Sequence, residues 1–138
     1  LLAKTIDAIA AGNAPRISQN HKEATYAPMI QKNESRLDFL LPARRVYNIF
    51  RALTPNPGIT TLCRGKILKI TDMDYYDGSI PAGKNGEAVC VSKNALVVRC
   101  GDGSGICILR VAPEGKREMS YADFINGRGV SEGEILGF

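Results

Sequence analysis

Five runs decide the fold: ITTL at residues 59–62, KILKIT at 66–71, AVCV at 88–91, LVVRC at 96–100 and ICILRV at 106–111. Each is short and rich in β-branched and aliphatic residues, which suit a pleated, half-buried surface. Between them stand turn formers such as Asn85-Gly86 and Gly101-Asp102-Gly103, where glycine supplies backbone angles that other residues avoid. Five short strands so closely spaced predict a small barrel or sandwich.

Upstream of the first run the period changes to that of a helix. Val46, Ile49, Phe50 and Leu53 form an i, i+3, i+4, i+7 stripe, and Pro42 suits the first turn. The other face carries Arg44, Arg45, Asn48 and Arg51, and Pro55 and Pro57 stop the helix before Gly58. From Asn13 to Lys32 no period is sustained, and a connection between two bodies is expected there. Leu2, Ile6 and Ile9 recur at helical spacing, with Gly12 placed as a left-handed cap. Because Leu1 opens directly into that pattern, a trimmed or excised piece of a longer chain is expected. Downstream, Ser120 with Asp123 forms a capping-box arrangement ahead of a last helix, and Gly127 follows its end. The predicted fold is mainly β with flanking helices: a small OB-like (oligonucleotide-binding-type) five-stranded barrel with an N-terminal helix and linker.

Hydrophobic residues make up 44% and charged residues 23% of the 138, the balance of a globular domain rather than a disordered chain. No apolar run approaches the roughly 20 residues that cross a bilayer, and no charged leader with an apolar stretch and cleavage site is present, so neither membrane insertion nor secretion is expected. The 18 Lys and Arg exceed the 14 Asp and Glu, for a formal charge of +4. A polyanion such as RNA would account for this excess, and so would a solvated basic surface. Cys63, Cys90, Cys100 and Cys107 form no C-x-x-C pair and the single histidine, His21, is remote from them, which does not fit zinc spacing. Reduced core thiols are expected, although Cys100 and Cys107 flank a Gly-rich turn and might face each other across a hairpin.

Several short motifs then follow one another. Tyr26-Ala27 precedes Lys32 and Arg36-Leu37-Asp38-Phe39. The helix closes in Arg51-Ala52-Leu53-Thr54-Pro55-Asn56-Pro57-Gly58. Glu114-Gly115-Lys116-Arg117-Glu118-Met119 leads to Asp123-Phe124 and then to Gly133-Glu134-Ile135-Leu136-Gly137. In this order, over nearly the whole chain, they resemble the carboxy-terminal part of the methionyl-tRNA formyltransferases. Two positions depart from the family pattern: Asn56 stands where Trp is frequent between the prolines, and Phe39 where Trp often follows the aspartate.

The resemblance implies a closing helix of a formyl-donor domain at 1–12, an interdomain linker at 13–33 and a C-terminal OB-like tRNA-binding domain at 34–138. It implies that the intact protein is an enzyme, transferring a formyl group from 10-formyltetrahydrofolate to initiator methionyl-tRNA in translation initiation. It places the catalytic Asn, His and Asp in the amino-terminal domain, so no catalytic residue, bound cofactor or metal is expected in this chain, and His21 matches no catalytic position. A cytoplasmic monomer with initiator methionyl-tRNA as partner is expected.

The candidate tRNA contacts are Lys32, Arg44, Arg45, Arg51, Lys116 and Arg117. Guanidinium and ammonium groups meet phosphates and release counterions as they bind. The competing readings are a solvated helix face for Arg44, Arg45 and Arg51, with Arg51 bracing the proline turn, a polar loop tip for Lys116 and Arg117, and solubility for Lys32, Arg16 and Lys22. Arg64-Gly65-Lys66 reads as turn chemistry, and Gly101-Asp102-Gly103-Ser104-Gly105 as a hairpin turn, since a phosphate loop needs a following Lys and helix. Tyr75 and Tyr76 read as packing at the barrel end, with base stacking as the alternative. Asp72, Asp74 and Asp77 form an acidic patch that turns that side away from RNA. Two other functions compete: the C-terminal domain of a relative that formylates a sugar nucleotide or acts on formyl-folate, and a free-standing nucleic-acid-binding module.

Overall fold

The computed structural model describes residues 1–91 and 95–137. In chain order its elements are α1 (Leu2–Ala10), α2 (Ala43–Leu53), β1 (Ile59–Cys63), β2 (Lys66–Tyr76), β3 (Ala88–Val91), β4 (Leu96–Arg99), β5 (Gly105–Pro113), β6 (Met119–Ser120) and α3 (Tyr121–Asn126). The strands form one antiparallel sheet in the order β1-β2-β5-β4-β3, with β6 added to β5. The sheet curls into a half-barrel over a single core that includes Ile59, Leu68, Ile70, Val98, Ile106, Ile108 and Val111. All five expected strands are present; β6 is an addition of two residues, too short to carry a period of its own.

Local chemistry sets the turns. Arg64 and Gly65 join β1 to β2 with φ of 53° and 73°, two left-handed residues whose twist matches that of the flanking strands. β2 runs to Tyr76, five residues beyond the KILKIT run, because its register against β5 slips between Ile70 and Asp72. Ile70 pairs with Val111 and Asp72 with Arg110, so Thr71 is the extra residue of a bulge. The inward residues pass from Leu68 and Ile70 to Met73 and Tyr75, and Asp72 and Asp74 fall on the other face of the strand.

The edges of the sheet are covered by segments that are not strands. Leu37 donates its N–H to the Thr60 carbonyl at 2.8 Å along one side of β1. Farther along β1, Cys63 bridges Leu136, and the Gly137 N–H reaches the Leu62 carbonyl at 3.1 Å. The same tail reaches toward β3: Leu136 N–H donates to Gly86 at 2.7 Å, and Ala88 N–H donates to Glu134 at 2.8 Å. Residues 134–137 therefore act as a stave between the two end strands, with Leu136 buried in the core. Covering such edges removes the unpaired backbone groups on which foreign strands would add.

Two sequence expectations are corrected here. Cys100 and Cys107 do not oppose each other: Cys107 pairs with Val97, while the Cys100 N–H bonds to Ser104 across the turn. All four thiols are free, and burial pushes that of Cys100 up to about 12. The stretch after Gly12 also contains two short 3-10 turns, His21–Glu23 and Lys32–Ser35, although every residue from 15 to 34 is exposed.

Candidate nucleic-acid interface

α2 presents three of the expected cationic residues because its apolar side is fully used. Ala43, Val46, Phe50 and Leu53 are buried and Ile49 packs beside them, which turns Arg44, Arg45, Asn48 and Arg51 outward. Pro42 offers no side-chain cap, and the role passes to Asp102 from the β4–β5 turn, whose Oδ1 accepts the Ala43 N–H at 3.3 Å. Hydrogen bonds from Ser104 and from Ala43 hold that carboxyl below its usual range.

Arg51 does not brace the proline turn; its guanidinium lies 5.9 Å from the centre of the Tyr47 ring. The turn is closed instead by Gly58, whose N–H reaches the Leu53 carbonyl at 2.8 Å with φ of 83°. Arg45 shares a cleft of about 350 Å³ with Arg36, Glu34 and the aliphatic edge of α2. Glu34 also accepts the Gln31 N–H at 3.1 Å, and the Lys32 carbonyl accepts the Ser35 hydroxyl at 2.7 Å. These bonds fold the turn that carries Lys32, and Glu34 of that turn lines the cleft.

Lys116 and Arg117 stand exposed between β5 and β6. Gly115, with φ of 73°, permits the Lys116 N–H to bond Pro113 at 2.9 Å, while the Glu114 N–H ties the turn to Ile67 at 3.1 Å. Lys116 lines a second cleft, of about 290 Å³, with Arg64, Lys66, Arg128 and Glu114. Arg45 of α2 and Lys116 thus line different clefts. Lys66, read from the sequence as turn chemistry, and Arg128, which the sequence reading passed over, are the basic neighbours of Lys116. The Gly127-Arg128-Gly129 run, in which Arg128 adopts φ of 54°, was the available signal.

Pairing separates these cations into two kinds. Arg64 is committed to the fold: its Nε donates to the Glu134 carboxylate at 3.0 Å, its Nη1 to the Arg128 carbonyl at 2.6 Å and its Nη2 to the Ser131 hydroxyl at 3.3 Å. Arg110 pairs with Glu118 at 3.2 Å. Among the described residues these are the ion pairs, and none of Lys32, Arg44, Arg45, Arg51, Lys116 or Arg117 takes part in one. Also among the described residues, no three His, Cys, Asp or Glu side chains gather as metal ligands, and no helix is long and apolar enough to cross a membrane. A further cleft, of about 550 Å³, lies between the Arg36-Leu37-Asp38-Phe39 segment and the tail, with Asn33 and Asn85 also in its wall. His21 is exposed in its short 3-10 turn.

The motifs and the fold agree with what the chain is similar to. A methionyl-tRNA formyltransferase of Streptococcus equi subsp. equi (strain 4047) is 37% identical over 139 residues, covering 99% of this chain and 43% of the relative. That of Moorella thermoacetica (strain ATCC 39073 / JCM 9320) is 38% identical over 137 residues, again across 99% of this chain and 43% of its own length. The chain therefore spans less than half of the curated relatives it matches. In shape it is similar to part of HypX from Aquifex aeolicus, solved in complex with tetrahydrofolic acid, with a TM-score of 0.61 at 18% identity over 95% of this chain and 23% of that one. Residues 29–129 match the family described as formyl transferase, C-terminal domain, and the chain belongs to that family.

Proposed function

We propose that this chain is the tRNA-gripping part of a methionyl-tRNA formyltransferase. The observation that carries the reading is the division among its cations: Arg64 and Arg110 are satisfied by carboxylates, while Lys32, Arg44, Arg45, Arg51, Lys116 and Arg117 stand exposed without an ion pair among the described residues. Solvated cations that hold no internal partner are free to exchange counterions for phosphates, which gives affinity and orientation with little reading of base sequence. Lys66 and Arg128 extend the Lys116 group along its cleft.

In the whole protein this chain binds initiator methionyl-tRNA, while the preceding part holds 10-formyltetrahydrofolate and transfers its formyl group to the methionine amino group. Under this reading 1–12 closes the preceding domain, 13–33 is the linker and 34–138 is an OB-like barrel. The exposed Leu2, Ile6 and Ile9 of α1 support such a division, since an apolar stripe of that kind is normally buried against another body. A monomer working in the cytoplasm completes the reading.

The test is a titration with initiator tRNA at two salt concentrations, with Arg44, Arg45, Lys116 and Arg117 together changed to Glu in a parallel sample. The expected result is affinity that falls with salt and is lost in the variant. Binding indifferent to both would remove the electrostatic grip. Absence of binding at low salt would favour an enzyme that formylates another substrate.

A further inference from the structure

Tyr47 is a half-buried aromatic residue of α2 that packs against the core, and three neighbours prepare it for a use beyond packing. Its ring stacks on Phe50 at 6.3 Å between centroids and receives the edge of Tyr75 at 5.9 Å, nearly perpendicular at 85°. Arg51, one helical turn on, holds its guanidinium 5.9 Å from the ring centre. Burial raises the Tyr75 phenol and Asp102 adds to the rise, while Arg44, one turn back from Tyr47, opposes it. A half-buried ring between two arginines is thus fixed in orientation from below and flanked by positive charge.

Of the nearby carboxylates, Asp102 and Asp77 act on Tyr75 against Arg44, and the others are directed elsewhere. Asp72 and Asp74 leave β2 on the face opposite Tyr75, and Asp74 accepts the Tyr75 N–H at 2.7 Å. Asp102 is spent on the α2 N-terminus and on Ser104. Asp72 and Asp74 therefore belong to the outer wall of the barrel, whereas Tyr47 belongs to the α2 side.

We propose that Tyr47 stacks an unpaired RNA base, with Arg44 and Arg51 on the phosphates to either side. This rests on the RNA reading above and adds to it the class of structure contacted, an unpaired nucleotide rather than a duplex. Every base has a π-face, so such a platform tolerates sequence, and a base locked in a helix cannot reach it. Arg51 leaves the ring as the base arrives and turns to the adjoining phosphate. The exchange replaces a modest cation–ring contact by a stack and a charge-assisted hydrogen bond.

The chain has five tyrosines and no tryptophan, so its fluorescence is that of tyrosine, and the Tyr47 variants identify the part that Tyr47 contributes. The probes are a ten-nucleotide oligoadenylate and an RNA duplex of the same length. The expected result is quenching by the single strand and none by the duplex. Tyr47→Leu abolishes the quenching and weakens single-strand binding by about fivefold or more, while Tyr47→Phe retains it. Circular dichroism confirms that each variant is folded. If Tyr47→Leu does not fold, ring-proton shifts of Tyr47 in the wild type decide the matter, moving with the single strand only. A folded Tyr47→Leu that binds as the wild type does, or equal quenching by both RNAs, overturns this proposal alone, provided that binding still weakens in Lys116→Glu/Arg117→Glu. Failure to bind either RNA at low salt overturns it together with the RNA reading.

Discussion

Arg64 shows how one side chain serves distant parts of the chain. It sits in a left-handed turn, yet its guanidinium gathers the carboxylate of Glu134, the carbonyl of Arg128 and the hydroxyl of Ser131. The hydrogen bond from Arg64 holds the Glu134 carboxyl below its usual range. A carboxyl with a depressed folded-state pKa stabilises the fold above its ordinary titration range and ceases to do so as pH falls through the depressed value. Thermal unfolding followed from neutral to acid pH should therefore show an acid limb that is shallower in Glu134→Gln, which carries no charge to lose. Gly86 makes a second residue-scale prediction. It has φ of 81°, and a Cβ there would strike the Leu136 carbonyl, so Gly86→Ala combines backbone strain with displacement of the tail. Chemical denaturation should show a loss of about 2 kcal/mol or more.

Among the elements, α2 depends on a cap supplied from another turn. Asp102→Ala removes the acceptor of the Ala43 N–H and should cost about 1 kcal/mol at neutral pH. The difference from wild type should shrink as acid protonates Asp102 in the native protein, since its pKa is held low. Phe50→Ala, in the buried stripe, should cost about 3–5 kcal/mol in the same denaturation assay. That stripe was legible because a helix repeats its apolar positions locally, and the first stretch of β2 was legible for the same reason. The rest of β2 was not. The bulge at Thr71 moves the inward residues from even to odd numbers, so a steady alternation ends at Ile70 although the strand continues to Tyr76. The segment 134–137 was recognised as a motif, but not as a stave, because it has no strand period, with Gly133 before it and Gly137 at its end, and gains its pairing only from partners far away in sequence. The basic residues could be recognised one by one. Whether each was free or paired could not, since that depends on contacts such as Arg64 with Glu134.

For the molecule as a whole, a half-barrel whose end strands are joined by residues 134–137 is sensitive to loss of that segment. A chain ending at Gly133 would lack the bonds to Leu62 and Gly86 and expose both end strands. Light scattering should show concentration-dependent association that the complete chain does not share. The spread of unpaired cations over α2 and the β5–β6 turn makes a related point about binding. Contacts on separate surfaces add their counterion release, so removing Lys116 and Arg117 should lower the salt slope without erasing it. The stave also imposes an order on biosynthesis. Cys63 meets Leu136 across more than seventy intervening residues, and every strand of the sheet is made before the piece that joins its ends. Until residues 134–137 are made, the border of β3 and the Leu62–Cys63 end of β1 wait without these partners, so the newborn chain is more open to chaperones, and to mispairing with its neighbours, up to that point.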